Sequence, residues 1–304
     1  MRRFLARCAA GYVVVVAAIA GFAGSARCGV NDPLPIFSDG SSSVEVLMVP
    51  GVVKRARLET DFLCTSFDPN PVHIGVQIFN AAGVLQNDIS AGVGSVLNVG
   101  FGETVTIGTS GTKALLESIT IPVTGMQGAA RVVATSNRVR CNVIMLDDAV
   151  SPPVALAALG TGVRPTAGPK PAGLPLPTFA GGQLATHSVV ITGVVKRGRM
   201  ETTVFCTSLA SQNVDIGIQI MSPGGVVLNE ISTGNGAVVG VVPGQTITVS
   251  TTGTKAFFED QVITLGGVAQ GAARVVTNSP DVACSAFVLD AAVSPPTSIS
   301  SLTN

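Results

Sequence analysis

The chain has 304 residues, 46% hydrophobic and only 12% charged, and its 18 basic and 18 acidic side chains leave no formal net charge at pH 7. A typical soluble domain carries about 25% charged residues, so long-range electrostatic capture of nucleic acid is not expected. The chain has no Trp and one Tyr, Tyr12 in the leader, so the mature chain is expected to have only Phe rings, which demotes recognition of glycans or single-stranded nucleic acids by stacking.

The chain opens with MRRFLAR, an apolar run from Ala9 to Phe22, and the small residues Ala23-Gly24-Ser25-Ala26. A basic segment, an apolar segment and small residues in that order predict a signal peptide over 1–26 and export to the periplasm or the extracellular space. No later stretch is apolar enough to span a membrane, so no transmembrane span is expected in the mature chain. Cys28 comes directly after the leader. Arg27 occupies the place where a lipoprotein would carry a small residue, which favours a free or intermolecularly paired thiol there.

Beyond the leader the chain is duplicated. GVVKRARLETDFLCTS at 51–66 returns as GVVKRGRMETTVFCTS at 193–208, and the copies align from Pro33 on Pro175 through Ala114 on Ala256. After one inserted residue, Gln127 falls on Gln270, Cys141 on Cys284 and Ala149 on Ala292. The expected units are repeat 1 over 33–153, an Ala/Gly/Pro-rich linker over 154–174, repeat 2 over 175–296 and a polar tail over 297–304. Each repeat has about 120 residues, enough for its own core. The period is too long for a solenoid.

Within repeat 1, LETDFLCTS alternates with Leu58, Thr60, Phe62 and Cys64 on one face and Glu59, Asp61 and Leu63 on the other. Val72, Ile74, Val76 and Ile78 form the next apolar face, and ETVTIGT turns Val105 and Ile107 inward. TKALLE and its copy TKAFFE read as one helical turn each, and AARVVAT and VRCNVIML complete the unit. Short strands punctuated by Gly and Pro predict an all-β fold of two tandem β-sandwich domains, immunoglobulin-like or jelly-roll. One cysteine pair per copy, at nearly the same interval and in an exported chain, predicts disulfides Cys64–Cys141 and Cys206–Cys284. An early-strand cysteine joined to a late strand resembles the inter-sheet bridge of immunoglobulin domains, although the core Trp and the tyrosine corner are missing. The paired pattern of VKR, FLCTS, GAARV and a late Cys is similar to that of uncharacterised exported bacterial proteins with tandem β-sandwich repeats, a resemblance that covers both copies and implies no activity.

Candidate sites are few. Lys54, Arg55 and Arg57, and their copies Lys196, Arg197 and Arg199, form basic turns suited to an anionic polysaccharide or a phosphate-bearing surface. Against that, charged turns protect sheet edges, and Arg57 with Glu59 and Arg199 with Glu201 can neutralise each other. Ser110-Gly111-Thr112-Lys113 has the spacing of a serine–lysine acyl-transfer motif but comes after a strand, and Thr252 replaces the serine in the copy. His73 and His187 align with Asp215 and Glu45, so neither is repeated as a catalytic base. Asp147 and Asp290 read as strand-end turn caps rather than calcium ligands. Arg131 and Arg274 are expected to pair with Glu117 and Glu259. No catalytic residue, metal or cofactor is expected. The function expected is a non-catalytic structural, adhesive or binding module, with self-association or an anionic polymer as partner; the alternative is an extracytoplasmic hydrolase or metal-dependent enzyme with a site between the domains.

Overall fold

The computed structural model describes residues 32–304 apart from 113, 150–155, 160–161, 172, 268, 295, 297–298 and 303–304. The leader, Cys28 and Lys113 lie outside the described residues.

Repeat 1 contains β1 (Val44–Lys54), β2 (Leu58–Ser66), β3 (Val72–Asn80), β4 (Ser95–Val99), β5 (Thr104–Gly108), β6 (Ile119–Thr120), β7 (Met126–Ala134), β8 (Val139–Asp147) and β9 (Leu156–Leu159). They form two sheets, ordered β1-β7-β3-β4 and β6-β5-β2-β8-β9. Repeat 2 reproduces this with β10 (Thr166–Ala167), β11 (His187–Lys196), β12 (Met200–Ser208), β13 (Val214–Met221), β14 (Ala237–Val241), β15 (Thr246–Ser250), β16 (Gln261–Val262), β17 (Ala269–Thr277), β18 (Val282–Asp290) and β19 (Ile299–Leu302). Its sheets run β10-β11-β17-β13-β14 and β16-β15-β12-β18-β19. The four sheets form two all-β domains, as the alternation predicts.

Each core lies between the inner faces of its two sheets. In repeat 1, Val52, Ile74, Val76 and Val132 meet Phe62, Ile107, Val143 and Met145, all at most 1% exposed. The hydroxyl of Thr60 ties β2 to β1, accepting from the Val53 amide and donating to its carbonyl, each at 3.0 Å. Thr202 repeats that bond pair with Val195. Buried polar groups are tolerable when bonded in this way.

The disulfides form as paired, Cys64–Cys141 and Cys206–Cys284, but they do not bridge the two sheets. Cys64 faces Cys141 directly across β2 and β8, and Cys206 faces Cys284 across β12 and β18, with Cα atoms 4.1 Å apart in both pairs. Each bridge therefore lies within one sheet, between adjacent strands, because alternation puts both cysteines of a directly opposed pair on the same inner face. The parallel with the immunoglobulin inter-sheet bridge fails at this point.

Four other expectations change. The loops carrying TKALLE and TKAFFE contain no helix among their described residues; instead the Thr112 hydroxyl accepts from the amides of Ala114 and Leu115, closing a tight turn. The segment read as a linker supplies β9, the edge strand on β8, and β10, the edge strand on β11. The tail segment similarly supplies β19 on β18. Arg131 and Arg274, 3% and 1% exposed, do not fork to Glu117 and Glu259. Gln77 accepts from Arg131 Nε and Nη2, and Gln219 accepts from the same atoms of Arg274, while carbonyls of Asp32, Leu174 and Pro175 take further guanidinium protons.

Candidate functional site

The basic turns are largely occupied from within. Ala56 and Arg57 form a two-residue turn closed by paired backbone bonds between Arg55 and Leu58, with Ala56 at φ 52°; Gly198 takes the same position in repeat 2 at φ 61°. Arg57 pairs with Asp147 and Arg199 with Asp290, not with Glu59 and Glu201 as expected, because each strand-end Asp lies beside the turn across the ladder. The same Asp also accepts from the amide two residues on, as a turn cap. Lys54 donates to Asp148 at 3.0 Å and to Ser110 at 2.7 Å, whereas among the described residues Lys196 reaches only the Leu265 carbonyl at 3.4 Å. Arg55 lies 3.6 Å from the ring centroid of Phe258 in the other repeat, and Arg197, its copy, is exposed.

That Arg55 contact belongs to a broad junction between the repeats. The first sheet of repeat 1 packs on the outer face of the cysteine sheet of repeat 2. Gly51, at φ 86° in a bulge of β1, brings the backbone flat onto Phe205 and Phe287; a Cβ there would lie 3.4 Å from both rings. Phe205 meets Phe257 and Phe287 edge to face, with centroids 4.9 and 5.9 Å away, and all three rings are at most 1% exposed. Leu209 packs on Met48, Phe79 and Ala129. Polar groups fix the register: Gln127 donates to Thr248 and to the Phe258 carbonyl and accepts from the Phe258 amide at 2.8 Å, and the Thr246 amide donates to the Ala81 carbonyl at 2.9 Å. Gly83 stacks on Gly244, where a Cβ would come within 2.6 Å of the Gly244 backbone.

The two repeats contribute different faces to this junction, so each retains the face that the other has used. On repeat 1, Leu63 and Ile144 stand where repeat 2 has Phe205 and Phe287; both are half-buried rather than enclosed. Phe67, the copy of Leu209, is 52% exposed, and Leu116, the copy of Phe258, is 94% exposed. On repeat 2, Gln270 is exposed where Gln127 is 4% exposed, and Val226 is 64% exposed. Gly102 and Gly225, the copies of the stacked pair Gly244 and Gly83, have open space above them.

A second constellation lies on β2. Glu59 and Asp61, read from the alternation as outward-facing, are both fully buried, because Ser110 and Glu117, in the segment that follows β5, lie against them. Glu117 brings a third carboxylate, and one oxygen from each of the three lies within 4.8 Å of the others. Ser110 Oγ donates to Glu59 Oε2, while Glu59 Oε1 and both Asp61 oxygens have no hydrogen-bond partner among the described residues. Burial, opposed by the Ser110 bond, raises the Glu59 pKa to about 7; burial, reinforced by Glu59 and Glu117, raises that of Asp61 to about 8. Repeat 2 has Thr203 in place of Asp61, Thr252 in place of Ser110 and Ala291 in place of Asp148. These differences between the copies were the sequence signal for this cluster, and the face assignment hid it.

Other candidates have structural roles. Ser110 accepts from Lys54, whose ammonium also binds Asp148, and donates to Glu59, while Lys113, the lysine of the sequence motif, lies outside the described residues. His73 is bonded on both ring nitrogens, to Asp39 at 2.7 Å and to the Asn98 amide at 3.0 Å. Between the repeats an open cleft of about 430 Å³ is bordered by Asn80, Gln86, Thr124, Glu259 and Asp260. Its two carboxylates accept from the amides of Thr254 and Thr248.

No known protein family and no curated protein matches the sequence. Among solved structures, the chain is similar to an uncharacterised protein from Burkholderia cenocepacia, with 9% identity and a TM-score of 0.24 over 78% of this chain and 74% of that one. It is also similar to an anti-sigma factor domain-containing protein, with 10% identity and a TM-score of 0.17 over 82% and 80% of the two chains.

Proposed function

We propose that the protein is an exported, non-catalytic structural module that assembles head to tail by repeating between chains the contact it makes between its own repeats. The observation that carries this reading is the heterologous character of the internal junction. A face of one kind on repeat 1 meets a face of another kind on repeat 2, and such a heterologous contact propagates from chain to chain into a filament or a ring instead of ending at a two-fold dimer. The free face of repeat 2, with Gln270, Arg197 and Gly225, is the copy of the face repeat 1 has already docked. The free face of repeat 1, with Leu63, Phe67, Leu116 and Ile144, is the copy of its receptor. Gln270 of one chain would bond the Leu116 backbone and Thr106 of the next, as Gln127 does with Phe258 and Thr248. Disulfides suit an oxidising, extracytoplasmic setting, where a low surface charge permits close approach.

The intermolecular contact is weaker than the internal one. Two Phe rings become Leu63 and Ile144, and the tether is absent; a short tether supplies an effective concentration on the order of mM. Sedimentation of the exported chain at rising concentration is therefore expected to show growth beyond the dimer. Leu63→Glu and Gln270→Glu should each stop that growth, whereas mixing the two variants should restore dimers and nothing larger. A chain that stays monomeric throughout, or variants that behave alike alone and mixed, would overturn the reading.

A further inference from the structure

We infer that Glu59, Asp61 and Glu117 form a calcium-binding site in repeat 1. Three carboxylate oxygens within 4.8 Å of one another can all lie on a single coordination sphere. Calcium takes oxygen ligands at about 2.3–2.6 Å, so two ligands on opposite sides are separated by no more than about 5 Å. The smaller magnesium sphere, of radius about 2.0–2.1 Å, demands a tighter set and keeps several waters, which suits a closed loop poorly.

Acidic residues gathered together do not by themselves make a site; the buried, unbonded oxygens do. Among the described residues, Asp61 is 0% exposed with neither carboxylate oxygen bonded, and Glu59 is 0% exposed with Oε1 unbonded. A buried carboxylate without a partner is costly, and a cation is the partner that satisfies several at once. Lys54 does not serve, because its ammonium is given to Ser110 and Asp148.

The space is also built. Gly108 faces the cluster, and a Cβ at that position would lie 2.3 Å from Asp61 Oδ1 and 2.7 Å from the Ser110 carbonyl oxygen. The Ser110 carbonyl oxygen therefore lies beside the cluster, close enough to serve as a fourth oxygen. Repeat 2 carries Ser250 at the position of Gly108 together with Thr203 at that of Asp61. The extra carboxylate and the missing side chain occur together in one copy, and both are absent from the other, on the same backbone. Repeat 2 retains Glu201 and Glu259 and so serves as an internal control.

The test is calorimetric titration of the intact, disulfide-bonded chain with calcium chloride after chelation, with melting followed in calcium and in chelator. One calcium per chain is expected, with Kd on the order of 10⁻⁵ to 10⁻³ M, and a melting temperature several degrees higher in calcium. Asp61→Thr with Gly108→Ser copies a pair that repeat 2 already accommodates, so the fold is retained while binding is expected to weaken at least 100-fold. Glu117→Gln, in the segment that follows β5, should weaken it about 10-fold or more. No binding up to about 5 mM calcium, or equal binding by native chain and double variant, would overturn the inference. A magnesium response as strong as that to calcium would also overturn the assignment.

Discussion

Phe205→Ala tests the junction between the repeats. The ring is fully buried, flanked edge to face by Phe257 and Phe287 and capped by the Gly51 backbone. A buried Phe→Ala change costs about 3–5 kcal/mol through lost transfer energy and the cavity left behind. Each edge-to-face pair contributes about 0.5–1.5 kcal/mol within that total. For a chain of this size, 1 kcal/mol shifts Tm by about 2–4 °C, so the expected drop is about 6–20 °C. The repeat-1 copy, Leu63→Ala, removes a half-buried side chain from an uncovered face and is expected to cost about 1 kcal/mol or less. Scanning calorimetry on both variants decides the matter. Phe205→Ala should also separate one cooperative transition into two as the repeats uncouple. Equal losses for the two substitutions, or a Phe205→Ala melt within 2 °C of the native one, would refute the reasoning.

Gln219→Leu should cost about 3 kcal/mol in urea unfolding, because it leaves the buried Arg274 guanidinium without the acceptor of two of its protons. Cys206→Ala with Cys284→Ala opens a loop of 78 residues and should lower stability by about 4–5 kcal/mol on the chain-entropy argument, with repeat 2 melting first. Burial, opposed by the Thr203 bond and aided by Glu259, raises the Glu201 pKa from 4.5 to about 7. The folded chain therefore binds more protons than the unfolded one between those values, so stability should fall as pH rises from about 4.5 to 7 and level off above. Glu201→Gln should flatten that slope in repeat 2, as read by urea midpoints against pH.

Much of the architecture was legible because it derives from alternation and duplication. The period-two pattern of β2, β3 and β5 located the core faces, and the duplicated cysteines identified the correct disulfide partners. Register was not legible, since it depends on which strands lie side by side. The resemblance to the immunoglobulin bridge implies cysteines on opposite sheets, whereas Cys64 and Cys141 face each other on one. Burial of the outer faces was equally hidden: Glu59 and Asp61 sit on the polar side of a correct alternation, yet Ser110 and Glu117 lie against them. Ion-pair partners also depended on long-range placement, and the basic turns found Asp147 and Asp290 across the ladder instead of the nearer glutamates. Phe205, Phe257 and Phe287 could have been noticed as the aromatic members of pairs whose repeat-1 copies are aliphatic. Only the packed structure shows that those rings face the other repeat.

The central claim is that one chain can stack on the next through copies of its internal contact, and an engineered cross-link tests it most directly. The Ala81 carbonyl and Thr246 amide lie 2.9 Å apart within the chain; their copies are Pro223 on the free face of repeat 2 and Thr104 on that of repeat 1, both exposed. A chain carrying Pro223→Cys and Thr104→Cys should yield a ladder of disulfide-linked dimers, trimers and longer species on a non-reducing gel, and either substitution alone should not. A double variant that remains monomeric under oxidising conditions at high concentration would contradict the account.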